Sequence, residues 1–339
     1  LEDREVLTRE ETIQQAAAQA VEAAKVKTLR QYAGAVYLPE KAATVSEKTR
    51  ASYTQLLEQH VFPVLGDVPM QDITVAMLKA LLAGLPERFA FASRVKVYAV
   101  LHGMFKAAVM DDTLDVNPMD KVPRPKQSKD AALSAEHKAF TAEEMRYILR
   151  CLKEEPLKWQ AFVLLLIDTG CRRGEACGLQ WRAVDLDAGT ITIERNLQYT
   201  AARGVYETMP KNGKVRVVDI SPDVAELLRA LRRTQPVTVR WVFTQDDSAE
   251  PMHPDTPTRY FQRFGKRFGI EHFHPHKLRH TSASIAITNG ADVVSVAARL
   301  GHSDSSTTLR MYAHANEESI RRVGQTVRDA LREPAQKKA

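Results

Sequence analysis

The sequence predicts a mainly α-helical protein with a small β-sheet, an α+β fold made of two domains. The length of 339 residues fits two domains of roughly 100–200 residues each, joined by a linker. Apolar residues recur at helical spacing along most of the chain. The alternation of β-branched residues that is typical of strands is confined to two short segments, Thr190–Glu194 and Val215–Ile220.

The composition limits the class of protein. A hydrophobic fraction of 44% and a charged fraction of 27% are typical of a globular chain. No run of about 18 apolar residues occurs, so we expect neither a membrane span nor a membrane partner. The first residue is Leu1 rather than Met, and we therefore expect a further segment upstream. The net charge of +6 is compatible with nucleic-acid binding, although many ordinary enzymes share it.

Three cysteines without CxxC spacing argue against a disulfide framework or a zinc finger. A reducing, cytoplasmic location is the expectation that follows.

The N-terminal part of the chain predicts helices only. Residues 1–27 are rich in Ala, Glu and Gln, and they form either a linker helix from a missing module or a frayed terminus. Residues 28–120 form a predicted helical domain. Its main predicted helices, separated by turn residues, are Lys48–His60, Val75–Leu82 and Ser93–Met110.

A basic, proline-containing linker is predicted over residues 121–139. It is either a plain solvated linker or a segment that follows a phosphate backbone. Basic residues of this linker and of the helical domain are candidate DNA contacts. They are Lys48, Arg50, Arg94, Lys96, Lys121, Arg124 and Lys126.

A second domain is predicted over residues 140–334, followed by a short tail, 335–339. Thr141, followed by two glutamates, is typical of a helix N-terminus. The two predicted strands are separated by a predicted loop that contains Gly204, Pro210 and Gly213. The remaining predicted helices are Trp159–Thr169, Pro222–Arg233, Pro257–Phe268, Pro275–Thr288, Val293–Leu300 and Glu317–Leu331.

Arg172 follows an apolar helix in the segment TGCRRGEA and is flanked by Gly170 and Gly174. A turn of this kind can present a guanidinium rigidly, and guanidinium groups make bidentate contacts to phosphate oxygens. The alternative is a surface arginine paired with Glu175.

The segment HKLRH places His276 and Arg279 on one face of a predicted helix that Pro275 begins. An imidazole beside a guanidinium suits proton transfer next to a phosphate. A zinc site is the alternative, because four histidines cluster here, although no HExxH-type carboxylate or cysteine pair accompanies them. These are His272, His274, His276 and His280.

Two further candidates are Lys211, in a predicted loop, and Tyr312, near the C-terminal end. A loop lysine is usually only solvated, but it can also donate a proton in a nearby groove. A phenol has a pKa of about 10, so it needs a base and fixed cations to act as a nucleophile. A single tyrosine near the end of a chain more often contributes to packing than to catalysis.

Taken together, these segments resemble the tyrosine recombinase (phage integrase) family, most nearly the integrases of phages and conjugative transposons. The family's motif order is Arg, Lys, His-x-x-Arg, Gly-His, Tyr. The matching positions are Arg172, Lys211, His276, Arg279, Gly301-His302 and Tyr312. The resemblance covers about Phe140–Leu331, with weaker motifs in the helical half, which is similar to the family's core-binding domain. An arm-binding domain often precedes that domain in the family.

The resemblance implies a reaction on DNA. Tyr312 attacks a scissile phosphate that Arg172 and Arg279 hold, and a 3′-phosphotyrosine forms. His276 accepts the phenolic proton, and Lys211 protonates the departing 5′-oxygen.

In the same resemblance, His302 hydrogen-bonds the phosphate and Glu175 has a supporting role. No metal, nucleotide or other cofactor is expected, because the arginines and the lysine supply positive charge and the phosphotyrosine conserves the ester. The sequence also lacks a GxxxxGK[ST] loop.

The implied partners are double-stranded DNA at attachment sites or transposon ends, three further copies of this chain in a tetramer, and an excisionase or DNA-bending accessory protein. The predicted helix Glu317–Leu331 packs either on a neighbouring copy or on its own domain. Three rival functions are a type IB topoisomerase, a DNA-binding regulator without activity and a metal-dependent nuclease.

Overall fold

The structure is a computed structural model, and it describes residues 27–86, 89–126, 139–211 and 213–301. The described residues form two compact units, which we call the first unit (27–126) and the second unit (139–301). Each unit has its own hydrophobic core.

The first unit is helical. A capping box opens it: the Gln31 amide donates to Thr28 Oγ1 at 3.3 Å, and Gln31 Oε1 accepts from the Thr28 amide at 3.0 Å. Its helices are α1 (Leu29–Tyr32), α2 (Leu38–Thr44), α3 (Glu47–Leu56), α4 (Phe62–Leu65), α5 (Val75–Ala83) and α6 (Phe91–Met110). The apolar face of α6, with Leu101, Met104 and Phe105 fully buried, forms the centre of the core.

One sequence prediction for this unit needs correction. The predicted helix Lys48–His60 is α3 followed by a π-helical turn, Leu57–Val61, which hydrophobic periodicity does not reveal. The core of this unit also includes Val122, which is 4% exposed.

The second unit contains seven described helices, and the apolar helix Leu157–Thr169 lies at their centre. They are α7 (Ala142–Leu152), α8 (Leu157–Thr169), α9 (Arg173–Cys177), α10 (Pro222–Arg233), α11 (Thr256–Phe268), α12 (Pro275–Thr288) and α13 (Val293–Leu300). The capping box predicted at Thr141 is confirmed, since its hydroxyl accepts from the Glu144 amide at 3.1 Å. Helix α8 packs against α10 and α12 and buries Phe162, Leu165 and Leu166.

A small antiparallel sheet and a separate hairpin complete the second unit. The strands are β1 (Val184–Asp185), β2 (Thr190–Ile193), β3 (Asn196–Thr200), β4 (Gly204–Thr208) and β5 (Arg216–Asp219). The sheet has the order β1-β2-β5, and its central register pairs Ile191 with Val218. The prediction of one loop between β2 and β5 was wrong, because the hairpin β3–β4 lies there. Its strands carry polar residues such as Asn196 and Gln198, so they lack the expected alternation.

Phe140, near the start of the described part of the second unit, is held against α12. The amide of Phe140 donates to the buried hydroxyl of Thr281 at 2.9 Å. The ammonium of Lys277 lies 4.0 Å from the centroid of the Phe140 ring, a cation–π contact. Thr281 and Lys277 both lie on α12.

The helices that the structure describes are not suited to span a membrane. Each is too short or too polar to cross a bilayer.

Candidate functional site

The turn after α8 presents Arg172. Gly170 ends the helix with a φ of 61°, a left-handed conformation that favours glycine, and a Cβ at this position would overlap with Leu300. The chain then turns, and Arg172 precedes the short helix α9. The Arg172 side chain is 27% exposed, so it is held by the protein but accessible to a ligand.

Glu175 is a buried carboxylate that anchors this turn. It accepts from the Arg172 amide at 2.9 Å and from Arg172 Nη1 at 2.9 Å. Its other contacts are to Arg216, whose Nη2 and Nη1 donate at 2.6 Å and 3.3 Å. Burial raises the pKa of Glu175, but the hydrogen bond and charge of Arg216, together with Arg172, hold that pKa below its usual value. Glu175 is therefore ionised at neutral pH and orients both arginines.

The start of α12 carries the histidine and the second arginine. His274 Nδ1 accepts from the Lys277 amide at 3.1 Å, and Pro275 occupies the first turn. Arg279 is 3% exposed and donates to the Gly170 carbonyl and, at 2.7 Å, to the Leu300 carbonyl. Burial and the nearby charge of Arg172 lower the pKa of Arg279 to about 10, so the group is still a cation at neutral pH.

Arg172, His276 and Arg279 line one open pocket of about 370 Å³. Each guanidinium uses two N–H groups on protein acceptors. Since arginine carries five donors, several remain on each for an anion in the pocket. The two guanidinium groups, which are distant in sequence, can bind a phosphate in this cavity. The imidazole beside them can transfer a proton.

The imidazole of His276 is neutral at neutral pH. Burial, followed by the positive charges of Arg279, His274 and Arg172, lowers its pKa below 6.5. Its ring centroid lies 4.4 Å from that of His280. The zinc alternative gains no support: among the residues that the structure describes, no group of three His, Cys, Asp or Glu side chains lies where it could hold a metal ion.

The other predicted catalytic residues are not placed in this pocket. Lys211 is exposed in the loop between β4 and β5 and does not line the cavity. His302 and Tyr312 lie outside the described residues, as does the predicted helix Glu317–Leu331.

Most of the candidate DNA contacts of the first unit are accessible. The exposed members are Lys48, Lys96, Lys121, Arg124 and Lys126, and Arg50 is half-buried. Arg94 differs, because its guanidinium donates to the carbonyls of Leu85, Pro86 and Phe89 at 2.7–3.2 Å. This side chain stabilises the turn before α6, which is a structural use that the sequence did not indicate.

Arg216 is a site residue that sequence reasoning missed. It lies on β5 two positions before Val218, so strand alternation places both on one face of the sheet, and Val218 is buried. An inward-facing arginine needs a buried acceptor, and Glu175 supplies it. The segment VRVVDI contained the signal for this role, because the strand alternation predicted from it places Arg216 on the same face as Val218.

The fold and the pocket together define an α+β domain whose two arginines can hold a phosphate. Residues 138–319 match the Phage integrase family, and residues 28–85 match the Phage integrase N-terminal SAM-like domain. The chain therefore belongs to the phage integrase family, and it is a tyrosine-type site-specific recombinase. The family resemblance drawn from the motif order is confirmed.

Individual proteins agree with this assignment. A putative prophage phiRv2 integrase of Mycobacterium tuberculosis is 28% identical over 283 residues, which cover 81% of this chain and 72% of that protein. The solved structure of Tn1549 transposon integrase in complex with transposon right end DNA has a TM-score of 0.74 at 21% identity, covering 89% of this chain and 99% of that one. A lambda integrase tetramer bound to a Holliday junction has a TM-score of 0.67 at 20% identity, covering 85% and 81%.

Proposed function

We propose that this recombinase cleaves and rejoins duplex DNA through Tyr312, integrating and excising a mobile element. The observation that carries the proposal is the single pocket lined by Arg172, Arg279 and His276. Two fixed guanidinium groups favour the extra negative charge of a pentacoordinate phosphorus over the ground-state phosphate, and this is usually the largest contribution to such catalysis.

The proposed step breaks one ester bond and forms another. The Tyr312 oxygen attacks phosphorus, the bond to the 5′-oxygen breaks, and a 3′-phosphotyrosine remains. His276 accepts the phenolic proton, and Lys211 donates a proton to the leaving oxygen, which becomes a free 5′-hydroxyl. Attack by a 5′-hydroxyl on the phosphotyrosine reverses each transfer and rejoins the strand. Lys211 has to move into the site for this step, and its exposed loop position leaves it accessible to DNA.

We propose four copies of the chain on two duplexes, a number that the lambda integrase tetramer bound to a Holliday junction supports. His302 contacts the phosphate in this proposal, and the exposed lysines of the first unit contact the DNA backbone. An accessory protein that bends DNA or favours excision, the cytoplasmic location and the domain limits 1–27, 28–120, 121–139, 140–334 and 335–339 stay predictions.

Trapping of the covalent intermediate tests the function. Nicked duplexes that span the junctions of the mobile element lose a short strand after cleavage, so the protein–DNA bond cannot be reversed. We expect a denaturant-stable adduct with the native chain and none with Tyr312→Phe, which lacks the nucleophile. Tyr199→Phe, a change at an exposed tyrosine of β3, is the matched control and should form the adduct normally. An adduct with Tyr312→Phe would refute the assignment.

The lowered pKa of His276 gives a second prediction. The base must be neutral, and its pKa in the DNA-free protein lies below 6.5. The second-order rate constant of cleavage at subsaturating DNA reports groups of the free enzyme. It should therefore decrease at acid pH with a midpoint below 6.5, the ordinary value for a histidine. His276→Gln should be slow and should lose this acid limb, whereas a midpoint above 6.5 in the native chain would contradict the prediction.

A further inference from the structure

Arg216 contacts the site through all three of its guanidinium nitrogens. Nη2 and Nη1 donate to the two oxygens of Glu175 at 2.6 Å and 3.3 Å. Nε donates to the Arg299 carbonyl at 3.0 Å. The Arg216 side chain is 10% exposed, and it does not line the pocket of Arg172 and Arg279. Arg216 therefore lies behind the proposed phosphate site and holds other groups of the site in place.

Three consecutive carbonyls at the end of α13 each accept from a different arginine. Arg216 Nε donates to residue 299 at 3.0 Å, Arg279 Nη2 to residue 300 at 2.7 Å, and Arg172 Nη2 to residue 301 at 3.0 Å. These carbonyls form the partially negative C-terminus of a helix, which favours cations. The three arginines come from β5, α12 and the turn after α8, so the end of α13 joins all three parts of the site.

The close packing around Gly301 supports the same arrangement. This residue has a φ of 69°, and a Cβ on it would lie 2.8 Å from Arg216 Nη1. The guanidinium of Arg216 thus lies directly against the backbone of Gly301, at the residue that precedes His302. A glycine is needed here for both its conformation and its lack of a side chain.

We propose that Arg216 is a positioning residue that sets the guanidinium of Arg172 through Glu175 and fixes the end of α13 through the Arg299 carbonyl. The proposal rests on the proposed function, because Arg172 must bind the scissile phosphate for its position to matter. Without Arg216, each oxygen of Glu175 loses one of its two donors, and the carboxylate that orients Arg172 is held only by Arg172 itself. A displacement of about 1 Å at a reacting centre costs roughly 10²-fold in rate.

The test compares two substrates in single-turnover adduct formation. One nicked duplex has a normal scissile phosphate, and the other has a methylphosphonate, in which a methyl group replaces one non-bridging oxygen. The methylphosphonate is neutral and has one charge fewer to be neutralised in the transition state, so it depends less on a correctly placed Arg172. We expect Arg216→Gln to slow cleavage of the phosphate by roughly 10- to 100-fold, and to leave cleavage of the methylphosphonate within about twofold of the native rate.

The comparison variants separate positioning from general damage to the fold. Arg172→Ala should show the same substrate pattern as Arg216→Gln, since both act through one guanidinium. Arg233→Gln, at an exposed arginine of α10, should behave as the native chain on both substrates. If Arg216→Gln unfolds, as monitored by tryptophan fluorescence, Arg216→Lys replaces it, because lysine keeps the charge but cannot make the three-nitrogen contact.

Equal slowing of both substrates by the Arg216 variant would overturn the proposal, because Arg216 would then support the fold without setting Arg172. Native rates on both substrates would overturn it as well. An adduct with Tyr312→Phe would instead contradict the proposed function, so the two failures are distinguishable.

Discussion

Replacement of Arg279 by alanine is expected to lower the rate of adduct formation by roughly 10³-fold or more, by analogy with other transition-state donors and arginines. The reason is that this buried cation serves two purposes at once. It lines the proposed phosphate pocket, and it donates to the carbonyls of Gly170 and Leu300. Both the charge at the phosphate and the shape of the pocket depend on one side chain.

The same variant should also be less stable. Two carbonyls lose their donor in a buried environment, and each unsatisfied group costs about 1–3 kcal/mol unless water enters. Arg279→Lys keeps the positive charge, but a single ammonium cannot reproduce the planar fork of donors. We expect it to recover stability in part and activity very little. Arg146→Ala, at an exposed position of α7, is the matched control, and a rate for Arg279→Ala within tenfold of that control would contradict the assignment.

The second large effect is expected at Glu175. Its side chain is fully buried, and it neutralises Arg172 and Arg216, whose side chains are 27% and 10% exposed. Glu175→Ala leaves these two cations without their counter-charge, and loss of one partner of a buried ion pair costs about 3–5 kcal/mol. We therefore expect the second unit of this variant to unfold at a markedly lower urea concentration.

Tryptophan fluorescence is a suitable measurement, because the three tryptophans of the chain, Trp159, Trp181 and Trp241, all belong to the second unit. Urea titrations of the full chain then report that unit alone. Glu226→Ala, at an exposed position of α10, is the control and should unfold as the native chain does. A difference of less than about 1 kcal/mol between the two variants would contradict the buried-charge argument.

The lowered pKa of Glu175 also gives this prediction a pH dependence. A carboxyl whose pKa is lower in the folded state than in the unfolded state stabilises the fold above its unfolded pKa. That contribution is lost as the pH falls from about 4.5 through the lower, folded value. Glu175→Gln, which has no such ionisation, should show a weaker loss of stability over this acid range.

The sequence predicted the turn and the helix that carry the site residues, but it did not predict the long-range contacts that hold those residues in place. Gly170 and the capping pattern of α12 are local signals, so the turn of Arg172 and the helix of His276 and Arg279 could be placed in advance. That Arg172 and Arg279 lie close together could be predicted only from the order of the motifs in the family that the sequence resembles. The contact between Arg216 and Glu175 spans 41 positions, and no local pattern encodes such a contact. The hairpin β3–β4 was missed for a similar reason: cross-strand pairs such as Asn196 with Thr208 specify it.

The attachment of Phe140 has a mechanical consequence. This residue lies near the start of the described part of the second unit, and its amide donates a hydrogen bond to Thr281. Thr281 lies two residues beyond Arg279 on the same helix. A pull on the chain at residue 140 is therefore transmitted directly to the helix that carries Arg279.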